Sequence, residues 1–174
     1  MIEVMVVVAI VGILAALAAP SFTEMLRNNR LSAASAALHT SLNLARSEAV
    51  KRGSSARVTV AANTTAGVWT NGWTVFVDLT ADANAGVGLS AADDGGVKGN
   101  RLEVVGAPAG PVAAVQNGVP YFMYDGLGRI MRADGGLGMQ SIWFVDGNSD
   151  RYCLVINVSG RVQAGRVANA VACA

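Results

Sequence analysis

The sequence predicts an α+β protein, one long N-terminal helix followed by an antiparallel sheet packed on the helix's second half. Three observations carry this. An apolar run opens the chain, a stripe of apolar residues at helical spacing follows it, and after Gly53 the period shifts to short strands between turns. With 174 residues, 52% hydrophobic and 14% charged, the chain can core one domain and carry one appended element. That composition excludes disorder of the whole chain.

The opening run is Val4 to Ala19, VMVVVAIVGILAALAA, with Pro20 just after it. Together with Met1 and Ile2 it approaches the roughly 20 residues a helix needs to span hydrocarbon. A cleaved signal peptide is the alternative, since the Ala-rich end imitates a cleavage site, but no Lys or Arg precedes Arg27. The only charge between Met1 and Ala19 is Glu3. A carboxylate in lipid costs about 2.5 kcal/mol or more, so Glu3 is a candidate functional residue.

After Pro20 the helical pattern continues. Leu31, Ala34, Leu38, Leu42, Ala45 and Ala49 recur every three or four residues, one apolar stripe with small neighbours that permit close packing on a sheet. Glu48 and Arg52 stand at i,i+4, Lys51 and Arg52 suit the negative end of the helix dipole, and Gly53 suits a C-cap. Ile2 to Arg52 would form a rod of roughly 75 Å, kinked near Pro20.

Strands are predicted at Arg57–Val60, Trp73–Val77, Leu102–Val105, Tyr121–Tyr124, Ile142–Val145 and Tyr152–Asn157. Asp125-Gly126 and Asp146-Gly147 are turn signals, the first closing a hairpin onto Ile130. No internal repeat is evident. Between strands, 80–100 is a long Gly/Ala/Asp loop. Asp78, Asp82, Asn84, Asp93 and Asp94 offer oxygen ligands to calcium, but the spacing matches no EF-hand and suits a solvated loop equally.

The net charge of +1 hides a segregation. Residues 58–150 carry nine acids against four bases, the helix from Glu24 to Arg57 six bases against two acids, and the end of the chain Arg151, Arg161 and Arg166 with no acid. Enzyme chemistry finds little support. His39 is the only histidine, the two cysteines form no ligand cluster, and Walker A, GxSxG and HExxH patterns are absent, so neither catalysis nor a cofactor is expected.

The segment IEVMVVVAIVGILAALAAPSF, an acid two residues into an apolar helix with Pro at its end, resembles the N-terminal helix of type IV pilins and pseudopilins. The continuation LNLARSEAVKRGSSARV resembles the FimT/GspH branch of minor pilins. The helix match covers about a third of the chain. It implies three parts: 1–23 as transmembrane and filament-core half-helix, 24–53 as amphipathic half-helix, and 54–174 as a periplasmic β-rich head. It also implies a single-pass subunit of the inner membrane that assembles with other pilin or pseudopilin subunits. Glu3 would pair there with a neighbour's α-amino group and set axial register. Met1 stands where the family's Phe-Thr-Leu start has its Leu, and the family's leader is absent. The true start is therefore expected upstream, where prepilin peptidase would act.

A body outside the cytosol places Cys153 and Cys173 in an oxidising compartment, where a bridge between them is expected over two free thiols. It would hold the C-terminal tail to the last strand. FimT-type minor pilins of natural transformation bind DNA through a C-terminal Gly-Arg-x-Arg element. Gly160 and Arg161 match its start, Gln163 stands where the second Arg belongs, and Arg166 follows Gly165 at a displaced position. With Arg151 these arginines would give weak, salt-dependent, sequence-nonspecific contact with double-stranded DNA. A solvated hairpin is the alternative for the tail. For the whole chain the alternatives to a type IV pilus minor pilin are a GspH-like minor pseudopilin of a type II secretion system and a DNA receptor outside any filament.

Overall fold

The computed structural model describes residues 1–53, 57–63, 69–78, 100–116, 121–132, 135–146, 150–168 and 173. Helix α1 (Ile2–Arg52) is 51 residues long and passes Pro20 without a break in its assignment. The Gly53 N–H, in the left-handed region at φ +70°, donates to the carbonyls of Ala49 and Val50 and closes the helix. Glu48 receives both basic residues of the last turn, Lys51 at 3.3 Å and Arg52 at 3.4 Å.

The two halves of α1 have opposite environments. From Met1 to Leu17 every residue is exposed, whereas the predicted stripe of Leu31, Ala34, Leu38, Leu42, Ala45 and Ala49 is buried along its whole length. Leu31 is the first fully buried residue, so the head's core grips only the last two fifths of the rod.

Two antiparallel sheets, where the sequence suggested one, cover that stripe. The first has the order β3-β2-β1-β5-β6, from β1 (Arg57–Ala62), β2 (Trp73–Asp78), β3 (Arg101–Val105), β5 (Tyr121–Tyr124) and β6 (Ile130–Met131). The second has the order β4-β7-β8-β9, from β4 (Ala113–Gln116), β7 (Gln140–Val145), β8 (Asp150–Ile156) and β9 (Val162–Ala168). All six predicted strands are present. The additions are β4, β6 and β9, and β9 pairs seven residues of the C-terminal tail with β8.

Val58, Val60, Trp73, Val75, Phe122 and Tyr124 of the first sheet join Ile142, Phe144, Leu154 and Ile156 of the second in one core against α1. The first sheet also buries Ala61, Phe76, Tyr121 and Met123 on its other face. That explains why β1, β2 and β5 read as apolar runs rather than alternating strands. Polar contacts fix the layers. The Trp73 indole donates to Ser41 Oγ at 2.9 Å, and Ser41 donates to Glu103 Oε2 at 2.5 Å, locking α1 to β2 and β3. Trp69, packed on Phe122 at 5.2 Å between ring centroids, donates to Gln116 Oε1 at 2.8 Å and so ties β4 to the neighbouring sheet.

Two five-residue turns share one design, a short-range repeat that the sequence reading missed. In Asp125–Arg129 the Asp125 N–H donates to the Arg129 carbonyl and the Gly128 N–H to the Asp125 carbonyl, while Asp125 Oδ1 accepts from the N–H groups of Leu127 and Arg129. In Asn157–Arg161 the Asn157 N–H donates to the Arg161 carbonyl, the Gly160 N–H to the Asn157 carbonyl, and Asn157 Oδ1 accepts from Arg161 N–H. Gly128 and Gly160 occupy the same turn position at φ +73° and +75°. The turns abut, with Ile130 N–H donating to the Val158 carbonyl, and so join the two sheets.

Candidate functional site

Three features of the sequence point to function: the apolar half of α1 with Glu3, the basic end of the chain, and the acidic segment after β2. Glu3 lies in the first turn of α1 among exposed apolar residues. Ile2 through Leu17 presents Val, Ile, Leu and Met on every side of the helix, a surface suited to lipid or to other helices rather than to water.

The basic end is built on β8 and β9. Leu154 and Ile156 point at α1, and their cross-strand partners are Ala164 and Val162. By the same pleat Arg166, opposite Tyr152, lies on the helix-facing side, and Arg151, opposite Val167, lies on the outer side. Arg151 places its guanidinium carbon 5.9 Å from the centroid of the Trp143 ring. Arg161 is exposed in the turn, five positions before Arg166 and thus about 16 Å away along a strand. The three arginines therefore make a dispersed basic edge rather than one cluster.

The paired turns give Arg161 a distinct character. Arg129 is held by Asp125 Oδ2, with Nε and Nη2 both at 2.8 Å. Arg161 occupies the equivalent position, but the residue equivalent to Asp125 is Asn157, whose amide caps the turn and offers no charge. Among the described residues Arg161 has no acidic partner. Gly160 has a packing role besides its positive φ, because a Cβ there would overlap the Gly128 carbonyl oxygen.

Cys153 and Cys173 are joined in a disulfide with Cα atoms 5.8 Å apart. Cys153 is opposite Gly165 and Trp143, so the bridge lies on the outer face of the second sheet. Of the acidic segment, Asp78 closes β2 and is buried, while Asp82, Asn84, Asp93 and Asp94 lie outside the described residues. Among the described residues no three His, Cys, Asp or Glu side chains gather as metal ligands. His39 Nδ1 lies 3.2 Å from Asn43 Nδ2 one turn further along the helix.

Sequence reasoning missed Arg46. It donates from Nε to the Gly128 carbonyl and from Nη2 to the Ser159 carbonyl, both at 3.1 Å, and so clamps both turns to α1. Beneath it Tyr124 is buried, and burial pushes its hydroxyl pKa far above the ordinary phenol range while the Arg46 charge works in the opposite direction.

An apolar N-terminal helix whose second half is roofed by antiparallel sheets is the architecture of a type IV pilin-like subunit. The type IV minor pilin FimU of Pseudomonas aeruginosa shares it. One crystal form matches with TM-score 0.58 at 17% identity over 81% of this chain and 92% of that chain. A second matches with TM-score 0.57 at 18% identity over 78% and 92%. The family described as Type II transport protein GspH matches residues 34–160, and the chain belongs to that family. No curated relative matches the sequence.

Proposed function

We propose that this protein is a minor pilin of a type IV pilus, held in the inner membrane by α1 with its head in the periplasm until it enters the filament. The observation that carries this reading is the fully exposed apolar half of α1 with one carboxylate, Glu3, in its first turn. In lipid that half-helix spans the bilayer, and in a filament it packs among like helices. Glu3 pairs with a neighbouring subunit's α-amino group, because a carboxylate in an apolar bundle needs a cation, and the pairing selects one axial register. Pro20 permits a bend between the apolar half and the part that carries the head. The family and fold are those of structural subunits, and the protein contributes assembly rather than catalysis.

The test is incorporation of Glu3→Ala into sheared filaments. Loss of the variant from the filament fraction, with normal amounts in the membrane, supports the register role. Normal incorporation overturns it.

A second activity is supported by Arg161, whose turn has an amide where the sister turn has a carboxylate. An exposed guanidinium without an acid beside it suits a DNA phosphate, and Arg166 adds a second contact farther along the edge. Full-length protein in micelles should bind duplex DNA weakly, with affinity falling steeply as salt rises, and Arg161→Gln/Arg166→Gln should abolish it. Absence of binding at low salt would leave assembly as the whole function. The GspH family description favours the alternative of a pseudopilin in a type II secretion system. Recovery of the protein with secretion pseudopilins rather than with pili would select it.

A further inference from the structure

Strand β9 is the outermost strand of the second sheet, and among the described residues no strand pairs with its far side. The turn before it sets its hydrogen bonding. The Asn157 N–H donates to the Arg161 carbonyl, so by antiparallel alternation Gln163, Gly165 and Val167 turn their backbone groups toward β8. Val162 and Ala164 turn theirs outward, along an edge that is exposed from Gln163 to Arg166.

The other sheet edges carry features that discourage strand addition. Strand β3 bears Arg101 and Glu103 and runs beside a register break at Val75 and Phe76, β6 has two residues, and β4 is short and tied by Gln116 to Trp69. Strand β9 has seven residues in regular register, with no Pro and no acid. The end of the chain is drawn away from it. Cys173 has its Cα 5.8 Å from that of Cys153 on β8, whereas a strand beyond β9 would stand about 9.6 Å from β8. The disulfide therefore holds Cys173 over the outer face of the sheet and off the edge of β9.

We propose that β9 is a docking edge that takes an extended, acidic strand of a neighbouring subunit. Outward N–H and C=O groups are complemented by backbone in the extended form, and charge selects which strand supplies it. Arg161 and Arg166 stand along this edge, and the chain has no acid from Arg151 to its end. Two copies meeting β9 to β9 would bring the arginines of both chains together, so the partner strand is not a second β9. That the neighbour is a pilus subunit rests on the reading of this protein as a minor pilin.

The test compares hydrogen exchange of the β9 amides, residue by residue, between full-length protein in micelles and the same protein in sheared filaments. Val162 and Ala164 should exchange about tenfold more slowly in filaments, while Gln163 and Gly165, bonded to β8 in both, should change little. Ala164→Pro removes an outward N–H without touching the β8 ladder, and should lower the protein's share of the filament fraction about tenfold at a nearly unchanged thermal midpoint. Ala164→Val keeps that N–H and should assemble normally. Equal exchange of Val162 and Ala164 in micelles and filaments overturns the docking edge and leaves the pilin reading standing. So does normal assembly of a folded Ala164→Pro, or equal loss of both variants, which would assign the effect to side chains. Should Ala164→Pro fail to fold, the exchange comparison decides alone. Duplex DNA also suits Arg161 but supplies no strand, so protection of Val162 and Ala164 by DNA alone in micelles overturns the proposal as well. Absence of the parent protein from filaments overturns the pilin reading and this edge together.

Discussion

Gly160 is packed so closely on the carbonyl oxygen of Gly128 that a methyl group at Gly160 would overlap it, although the two residues lie in turns that connect strands of different sheets. Gly160→Ala meets both this overlap and the cost of a left-handed backbone at φ +75°. A loss of about 3 kcal/mol is expected, and thermal unfolding followed by circular dichroism should fall by roughly 6–12 °C. A Gly165→Ala control, on the strand β9 that follows the turn and with open space around it, should cost much less.

Arg46 holds the two turns from the helix side. Replacing it with Met keeps most of the apolar stem and removes both hydrogen bonds to carbonyls. The expected loss is about 2 kcal/mol, read as a lower urea midpoint with an unchanged denaturant slope. A normal midpoint would mean that the turns hold each other without the clamp.

Tyr124 lies under the same junction, and its hydroxyl finds no hydrogen-bond partner among the described residues. Tyr124→Phe should therefore be neutral or slightly stabilising near pH 7. The sign with pH follows from the raised pKa. Below about pH 10 the phenol is neutral in both the folded and unfolded chains. Above that value only the unfolded chain ionises, so stability contributed by the neutral buried phenol is lost as pH rises. Tyr124→Phe should flatten this alkaline decline in a urea-midpoint series from pH 8 to 11.

The disulfide closes a segment of sequence separation 20. Cys153→Ser/Cys173→Ser should cost about 3 kcal/mol, the loop-entropy value for a closure of that size. A reductant should lower the thermal midpoint of the parent protein by the same amount and leave the variant unmoved.

How legible these features were depended on their range. The helix stripe could be read because Leu31 to Ala49 repeat at the helical period and each is buried, and β1, β2 and β5 could be read from their Val and aromatic content. Strand β4, Ala-Ala-Val-Gln, has weak strand preference. Strand β9, with Gly165 and two alanines, is ordered by seven residue pairs with β8 that no local pattern announces. Glu3 stood out because a lone charge in an apolar run is local information. Arg46 did not, since its acceptors lie 82 and 113 positions away. The paired turns were visible only as a common Gly-Arg until the hydrogen bonds gave Asp125 and Asn157 the same task.

The burial boundary at Leu31 also governs how the molecule bears a mechanical load. Tension applied near Glu3 runs along the axis of α1 and reaches the head through a stripe parallel to that axis, from Leu31 to Ala49. Such a contact is loaded in shear, with its side chains resisting together, rather than peeled one residue at a time. The Arg46 clamp near the far end opposes sliding of the rod beneath the two turns. Resistance to pulling is set by the rate of opening rather than by equilibrium stability, and this arrangement lets a head of ordinary stability stay attached under strain.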